Sequence, residues 1–186
     1  MKNILLAVSG PSGVGKGTIV KALTKRRLDV VESVSCTTRA PRSGEKHGRE
    51  YFFITREEFL QKKAAGGFLE CDEHFGNFYG TPKDFVQETL KEKSVILEID
   101  VVGALNAKKL FPECVLVMIA PPSVEELKSR LKGRNSETEE QIQTRLSRLE
   151  YELAQKDKYD CVLINDDLQA AIARLEQIID NEKNKL

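Results

Sequence analysis

The chain has 186 residues, enough for one domain or for one domain with insertions. Lysine plus arginine and aspartate plus glutamate each number 29, so the formal net charge is zero, which argues against a general nucleic-acid or anionic-membrane binder. A hydrophobic content of 40% with 31% charged residues predicts a soluble globular protein, and the longest apolar runs are too short to cross a bilayer.

Apolar runs typical of strands alternate with helical patterns along the chain. In chain order, the pattern predicts strand 4–9, helix 15–27, strands 30–35 and 51–54, helix 56–65, short strands within 68–82, helix 83–92, strand 94–100, helix 101–110 and strand 114–120. Pro121 and Pro122 then break the chain. Ser123, with Glu126 three residues later, has the pattern of a capping box and opens another helix.

The last two helices are marked by apolar stripes. The stripes consist of Ile142, Leu146, Leu149 and Leu153 in the first helix, and of Leu168, Ala171, Ile172, Leu175 and Ile178 in the second. Residues 161–164 predict the last strand, and residues 165–167 cap the final helix. The alternation implies a mainly parallel sheet with helices on both faces. Two polar segments with arginines, at 36–90 and 124–150, interrupt it, and such insertions usually carry the site.

The four cysteines are far apart in the sequence and form no C-x-x-C pair. We therefore predict reduced, mostly buried thiols in a cytoplasmic protein. The first residues, MKNILLAV, lead into a glycine-rich loop without a small-residue cleavage site, so we interpret them as a strand rather than a signal peptide.

Residues 10–18, GPSGVGKGT, match the phosphate-binding pattern G-x-x-x-x-G-K. In such loops backbone N–H groups surround a phosphate, glycines permit positive φ and close approach, and the following helix adds partial positive charge. We therefore predict that the loop binds a nucleoside triphosphate, with Lys16 at the β- and γ-phosphate oxygens. The predicted ligands in the loop are Pro11, Ser12, Gly13, Val14, Gly15, Lys16, Gly17 and Thr18.

Gly17 stands where this pattern usually has the Ser or Thr whose hydroxyl binds Mg²⁺. Thr18, one position later, is expected to bond an α-phosphate oxygen rather than the metal. We therefore predict Mg²⁺ as the cofactor, held mainly by phosphates and water with no direct protein ligand. This arrangement fits an enzyme whose two substrates supply most of the metal's oxygens better than a GTPase switch.

Ten motifs follow one another along the chain, within a likeness to a known family that runs from about residue 3 to about residue 175. They are GPSGVGKGT, SVSCTTRAPRSGE, GREY, FLE, GNFYGT, LEID, IAPPS, RLKGR, TEE-x-I-x-x-RL and INDDL. In these motifs and their order the chain resembles the guanylate kinases. The resemblance implies reversible phosphoryl transfer from ATP to GMP, and also to dGMP. It makes ATP and GMP the expected partners of a monomer or small homo-oligomer.

The resemblance also implies an α/β fold with three parts: a P-loop kinase core whose parallel five-stranded sheet is covered by helices, a small mixed-β GMP-binding segment, and a helical lid. The core would comprise residues 1–35, 91–123 and 151–186. The GMP-binding segment would span 36–90 and the lid 124–150.

The resemblance assigns the acceptor nucleotide to two sets of residues. The phosphate site consists of Ser35, Arg39, Arg42 and Tyr51, and the base pocket of Glu70, Tyr79, Thr81 and Asp100. A carboxylate at Glu70 can accept from both N1–H and N2–H₂ of guanine, whereas the N1 lone pair of adenine would face an anion. Asp100 either contacts GMP or supports Mg²⁺ through water. Glu98 lies on the same strand face, where a structural role is equally open.

Arginine provides the planar set of donors that phosphoryl groups require. The resemblance implies that Arg134 and Arg145 of the lid close over ATP and the transferring group, with Arg145 also reaching GMP. The expected catalytic residues are thus Lys16, Arg39, Arg134 and Arg145. Asn165 and Asp166 match an adenine-side loop, although helix capping alone would explain them.

The sequence departs from many guanylate kinases at Val101-Val102 and at Asn135-Ser136, as well as at Gly17. Two other functions stay open. One is a guanylate-kinase-like module that binds phosphopeptides, against which the complete set of site cations argues. The other is a kinase for another monophosphate such as AMP or UMP, against which Glu70 with Thr81 and Asp100 argues.

Overall fold

The structure is a computed structural model, and it describes residues 2–74, 76–127 and 139–185, with the backbone alone for His74 and for residues 139–146. The helices are α1 Lys16–Arg26, α2 Arg56–Ala64, α3 Lys83–Leu90, α4 Val101–Leu110, α5 Glu139–Ala154 and α6 Leu168–Asn184. The strands are β1 Leu5–Ser9, β2 Val30–Glu32, β3 Cys36–Thr37, β4 Phe52–Phe53, β5 Phe68–His74, β6 Asn77–Pro82, β7 Ser94–Glu98, β8 Val115–Ala120 and β9 Cys161–Ile164. Residues 124–127 are also helical.

The main sheet has five parallel strands in the order β2-β7-β1-β8-β9. This confirms the expected five-stranded parallel sheet, whose strand order was not predicted. Every residue of β1 and β8 is buried, because helices cover both faces of a parallel sheet. Ile19 of α1 and Ile172 of α6 belong to the core on one face. Val86 of α3 and Ala104 of α4 belong to the core on the other face. The carboxyl ends of the strands therefore meet at one edge, where the glycine loop begins.

A second, mixed sheet has the order β4-β3-β6-β5 and lies between β2 and β7 in the sequence. Its own small core is aromatic. The ring of Phe59 on α2 stacks on Phe68 and Phe78, with centroid distances of 4.4 and 5.1 Å. Because β2 and β7 are parallel neighbours in the main sheet, the chain leaves the core at the carboxyl end of β2 and re-enters it at the amino end of β7.

The predicted strand 30–35 divides between the two sheets. β2 ends at Glu32, and the N–H of Ser33 makes a 2.8 Å bond to Ile96 O in the main sheet. The carbonyl of Ser35 instead accepts the N–H of Phe52 at 2.8 Å in the second sheet. A continuous run of β-formers does not show where a chain passes from one sheet to another, because propensity is the same on both sides.

The last turn of α6 holds a buried cation that the apolar stripe did not predict. Lys183 is 7% exposed, and its Nζ lies 2.7 Å from Asp29 Oδ2. Arg27 binds the same carboxylate at 2.8 Å and, with Lys183, lowers the pKa of Asp29 well below its usual range. Ile179 lies in the core, whereas Ile178 only packs against it. The C-terminal helix is thus fixed to the connection between α1 and β2.

All four thiols are unpaired. Cys36 and Cys114 are buried, and burial raises their pKa values to about 11 and about 12. Within the described residues, no helix has the combined length and apolar character that crossing a membrane requires.

Candidate functional site

The glycine loop connects β1 to α1 at the carboxyl edge of the main sheet. Gly10 has φ +139°, and a Cβ placed on it would lie 2.1 Å from the carbonyl oxygen of Ile119 on β8. Gly15 has φ +99°, and a Cβ there would lie 2.6 Å from Asn165 Nδ2. Both positions therefore require glycine for conformation and for space. The loop is pressed against β8 and against the segment that follows β9.

Lys16 is the first residue of α1, and its ammonium group turns back into the loop. Its Nζ donates to Gly10 O at 2.6 Å and to Pro11 O at 3.1 Å. Burial lowers the pKa of Lys16, while Glu98, Glu152 and Asp100 act in the opposite direction. The loop thus encloses a cation within the field of three acids.

Asn165 anchors the loop from the other side. Its side-chain Nδ2 donates to Val14 O at 2.7 Å, and its backbone N–H donates to Ala120 O at 2.9 Å. Asp166 is exposed and accepts the N–H of Asp167, while Asp167 caps α6 through a 2.8 Å bond from Ala170 N. The structure therefore gives Asn165 a role in positioning the loop, and the contact of both residues with adenine stays a prediction.

Glu98 and Glu32 form an acid pair that the sequence did not predict. A Cβ on Gly17 would lie 3.1 Å from Glu98 Oε2, so the carboxylate sits against the first turn of α1. Glu32 pairs with Ile96, which places its side chain on the same sheet face as Glu98. Burial, and then the charge of Glu98, raises the pKa of Glu32 to about 7. A buried carboxyl group next to another carboxylate is expected to behave in this way.

Replacing Glu32 with glutamine is expected to raise the unfolding temperature at pH 8 and to change it little at pH 5. A carboxyl whose pKa is higher in the native than in the unfolded state makes stability fall as pH rises from the unfolded value, about 4.5, to about 7. Glutamine has a similar shape, cannot ionise and therefore removes that penalty. Thermal unfolding at both pH values measures the difference, with Glu92→Gln on the exposed surface as the control. Equal shifts at the two pH values would contradict the raised pKa of Glu32.

The residues predicted to form the base pocket come from the second sheet and from the start of α4. Glu70 Oε1 accepts from Thr81 Oγ1 at 2.6 Å and from Thr81 N at 3.1 Å. Asp100 caps α4, and its Oδ1 accepts the N–H of Gly103 at 2.7 Å. Burial raises the pKa of Glu70, and the hydroxyl of Thr81 acts against that rise. The structure thus brings Glu70, Thr81 and Asp100 close together, with Gly103 between the two acids, and their contact with a base stays a prediction.

Glu45 accepts hydrogen bonds from the loop that carries Arg39 and Arg42, here called the arginine loop. The sequence did not predict this role. Arg39 Nη2 donates to both oxygens of Glu45, at 2.9 and 3.0 Å, and the backbone N–H of Arg42 donates to the same carboxylate at 2.7 Å. The guanidinium carbon of Arg39 lies 5.6 Å from the centroid of the Tyr51 ring. That ring makes an edge contact of 5.9 Å with Tyr79. Glu45 could have been predicted from the sequence, because it is an acidic residue within a loop that carries several cations.

Two predicted arginines are not tested by this geometry. Arg134 lies outside the described residues. Arg145 belongs to α5, for which only the backbone is described at that position.

Thr18 is exposed on the first turn of α1, next to the loop. In the described part of the chain, no three acidic, cysteine or histidine side chains are grouped so that they could hold a metal ion.

Comparison with known proteins gives concordant matches over nearly the whole chain. The family model described as guanylate kinase matches residues 2–182. The guanylate kinase of Shouchella clausii is 46% identical over 185 residues, covering 99% of this chain and 90% of the relative. The guanylate kinase of Clostridium acetobutylicum is 48% identical over 183 residues, covering 98% and 87%.

Solved structures agree with these matches. The crystal structure of guanylate kinase from Anaplasma phagocytophilum superposes with a TM-score of 0.80 at 35% identity, covering 99% of this chain and 88% of that one. A shikimate kinase from Bacteroides thetaiotaomicron gives a TM-score of 0.55 at 14% identity, covering 95% and 98%, which shows a similar fold alone.

Proposed function

The chain belongs to the guanylate kinase family and is an enzyme that phosphorylates GMP with ATP; we propose which residues serve the donor nucleotide and which serve the acceptor. The carboxyl end of β7 supports this division. There Glu98 lies against Gly17 beside the glycine loop, and Asp100 begins α4 beside Gly103 and Glu70. Because one strand end adjoins both groups of residues, a donor and an acceptor phosphate would meet in front of it.

On the donor side, we assign residues 11–18 to the phosphates of ATP, with backbone N–H groups around the β-phosphate. Lys16 would exchange the carbonyl oxygens of Gly10 and Pro11 for β- and γ-phosphate oxygens, which are stronger acceptors for an ammonium group. Asn165, which fixes the loop through Val14 O, and Asp166 would lie on the adenine side.

On the acceptor side, we assign the phosphate of GMP to Ser35, Arg39, Arg42 and Tyr51, and its base to Glu70, Tyr79, Thr81 and Asp100. The pairing of Arg39 with Glu45 supports the first set, because it holds the guanidinium ready for a second anion. These groups recognise the base and the phosphate. We therefore propose dGMP, which has both, as a second acceptor.

We propose that Mg²⁺ enters with ATP and is held mainly by phosphate oxygens and water. Gly17 supports this because the helix offers no hydroxyl there, and the adjacent space is filled by the Glu98 carboxylate. An octahedral ion that keeps several waters fits such a site. Asp100 remains the residue that could hold one of those waters. When bound, the metal neutralises charge on the β- and γ-phosphoryl oxygens.

Phosphoryl transfer depends mainly on alignment and charge compensation. We propose that Lys16 and Arg39 provide part of this charge, and that Arg134 and Arg145 of the lid, residues 124–150, provide the rest. Closure of the lid and of the GMP-binding segment, residues 36–90, over the core would exclude water and prevent hydrolysis of ATP. We place this reaction in the cytoplasm, in keeping with the unpaired thiols; a monomer or small homo-oligomer stays a prediction.

Side-by-side assays of ADP release from MgATP with GMP, dGMP, AMP, UMP and CMP test the proposal. We expect turnover with GMP and dGMP and little with the other three, because only guanine presents two adjacent donors to Glu70. Equal turnover with AMP or UMP would favour a kinase of different specificity. Binding of a phosphopeptide without any turnover would favour a recognition module.

A further inference from the structure

We infer that Gly103 is a specificity-determining position of the GMP pocket, a positioning residue that acts through the carboxylate of Glu70. Gly103 is the third residue of α4 and has no side chain to offer a nucleotide. Its contribution would be the space that it leaves between two acids. The inference rests on the proposed role of Glu70 in reading guanine.

The space at Gly103 is smaller than a methyl group requires. A Cβ placed there would lie 3.0 Å from Glu70 Oε2, 3.2 Å from Asp100 Oδ1 and 3.5 Å from the Cβ of Ile99. The first two distances are shorter than ordinary van der Waals contact between carbon and oxygen. A side chain at this position would therefore displace at least one of the two carboxylates.

Glu70 cannot move away from Gly103 without weakening its hydrogen bonds to Thr81. Its Oε1 accepts two hydrogen bonds from Thr81, which is fully buried. Among the described residues, no other group hydrogen-bonds this carboxylate, and Oε2 is the oxygen that faces α4. Thr81 therefore orients the carboxylate, and Gly103 allows Oε2 to occupy the position so defined.

Asp100 is held at the same place from the other side. Its Oδ1 accepts the N–H of Gly103 at 2.7 Å, at the positive end of the α4 dipole. The same end of the helix favours a negative charge on the nearby Glu70, whose pKa burial raises. Gly103 thus lets two acids approach one helix terminus, and guanine, with adjacent N–H and NH₂ donors, is the purine that such a pair recognises.

Gly103→Ala is expected to weaken GMP binding by about 3–10-fold, because the carboxylate must shift by a few tenths of an ångström and a shift of about 1 Å costs up to about 10²-fold. The dissociation constant for GMP, measured by titration calorimetry, and KM for GMP should both rise. KM for ATP should change less than about two-fold, because the added methyl does not face the glycine loop. Alanine favours a helix over glycine by about 1 kcal/mol, so the variant is expected to fold.

Gly17→Ala is the matched variant on the donor side. Gly17 also lies in the first turn of a helix, and a Cβ there would meet Glu98 Oε2 at 3.1 Å. It is expected to raise KM for ATP more than KM for GMP, the reverse of Gly103→Ala. A purely structural effect of adding a methyl to a helix would not separate the two substrates in this way.

A double-mutant cycle with Glu70→Gln tests whether Gly103→Ala lowers GMP affinity through the Glu70 carboxylate. Because Gly103 acts through the carboxylate, adding the methyl should cost much less GMP affinity once Glu70 is glutamine. Glu70→Asp, which withdraws the carboxylate from Gly103, provides a background in which Gly103→Ala has room and can be measured even if the single variant fails to fold.

The outcomes are distinct. An unchanged GMP dissociation constant in Gly103→Ala, or additive losses in the double variant, would overturn the role of Gly103 and leave the proposed function intact. An unchanged GMP-to-AMP preference in Glu70→Gln would instead contradict the assignment of the base pocket, and with it the inference. A strong coupling together with a selective loss of GMP affinity would support both.

Discussion

Replacing Lys16 with alanine is expected to lower kcat by about 10²–10⁵-fold, the range found for other cationic groups in phosphoryl transfer. The ammonium is the cation inside the glycine loop, where it donates to Gly10 O and Pro11 O. Its loss would remove the charge that faces the triphosphate. It would also leave Glu98 and Asp100, two of the acids whose charge acts on Lys16, to repel an anionic substrate.

Lys16→Ala is measured as initial-rate ADP formation at saturating ATP and GMP, together with the unfolding temperature. Lys25→Ala, an exposed lysine on the same helix, is the control and should keep normal turnover. Lys16→Arg keeps the charge but changes its shape, so partial activity is expected. Turnover near that of the wild type in Lys16→Ala would remove this residue from the mechanism.

Glu70→Gln is expected to abolish most of the preference for GMP over AMP and to lower kcat/KM for GMP by about 10–10²-fold. The loss of one hydrogen bond to a charged acceptor, about 1.5–3 kcal/mol, corresponds to this range. The amide keeps the shape of the side chain but presents a donor to the donors of guanine. The same amide no longer repels the N1 lone pair of adenine.

Three further measurements separate this effect from a loss of structure. Burial raises the pKa of Glu70, so GMP turnover of the wild type should decline, as pH falls, at a higher pH than for an ordinary glutamate. The Glu70→Gln variant should lack that decline. Its unfolding temperature should not fall at neutral pH, since a carboxyl with a raised pKa destabilises the native state there. Glu73→Gln, exposed on the same strand, is the control, and a loss of GMP selectivity in that variant would contradict the pocket.

The sequence predicted those parts of the fold that depend on local pattern. The alternation of apolar runs with helical patterns indicated a parallel sheet covered on both faces. The helix Val101–Leu110 and the strand Cys161–Ile164 were predicted with their observed bounds. The division of residues 30–35 between two sheets was not predictable, because it depends on which strand each half pairs with.

The same distinction holds for the site. Residues 10–16 were recognised because the conformation of such a loop requires glycine at fixed positions close together in the sequence. Gly10 and Gly15, for example, have positive φ. Glu32 and Glu45 were missed because their roles arise from contacts that only the folded chain creates. Glu32 lies next to Glu98 across two paired strands, and Glu45 accepts hydrogen bonds from Arg39 and from the backbone of Arg42.

The burial of Cys36 and Cys114 has a practical consequence for observing motion. A thiol whose pKa is raised by burial is almost entirely protonated at neutral pH, and thiol-directed dyes attack the thiolate. A cysteine introduced at an exposed position such as Leu28, which is 83% exposed, would therefore be labelled much faster than Cys36 or Cys114. Fluorophores attached in this way could report distances between the insertion and the main sheet during turnover, with Cys36 and Cys114 left in place.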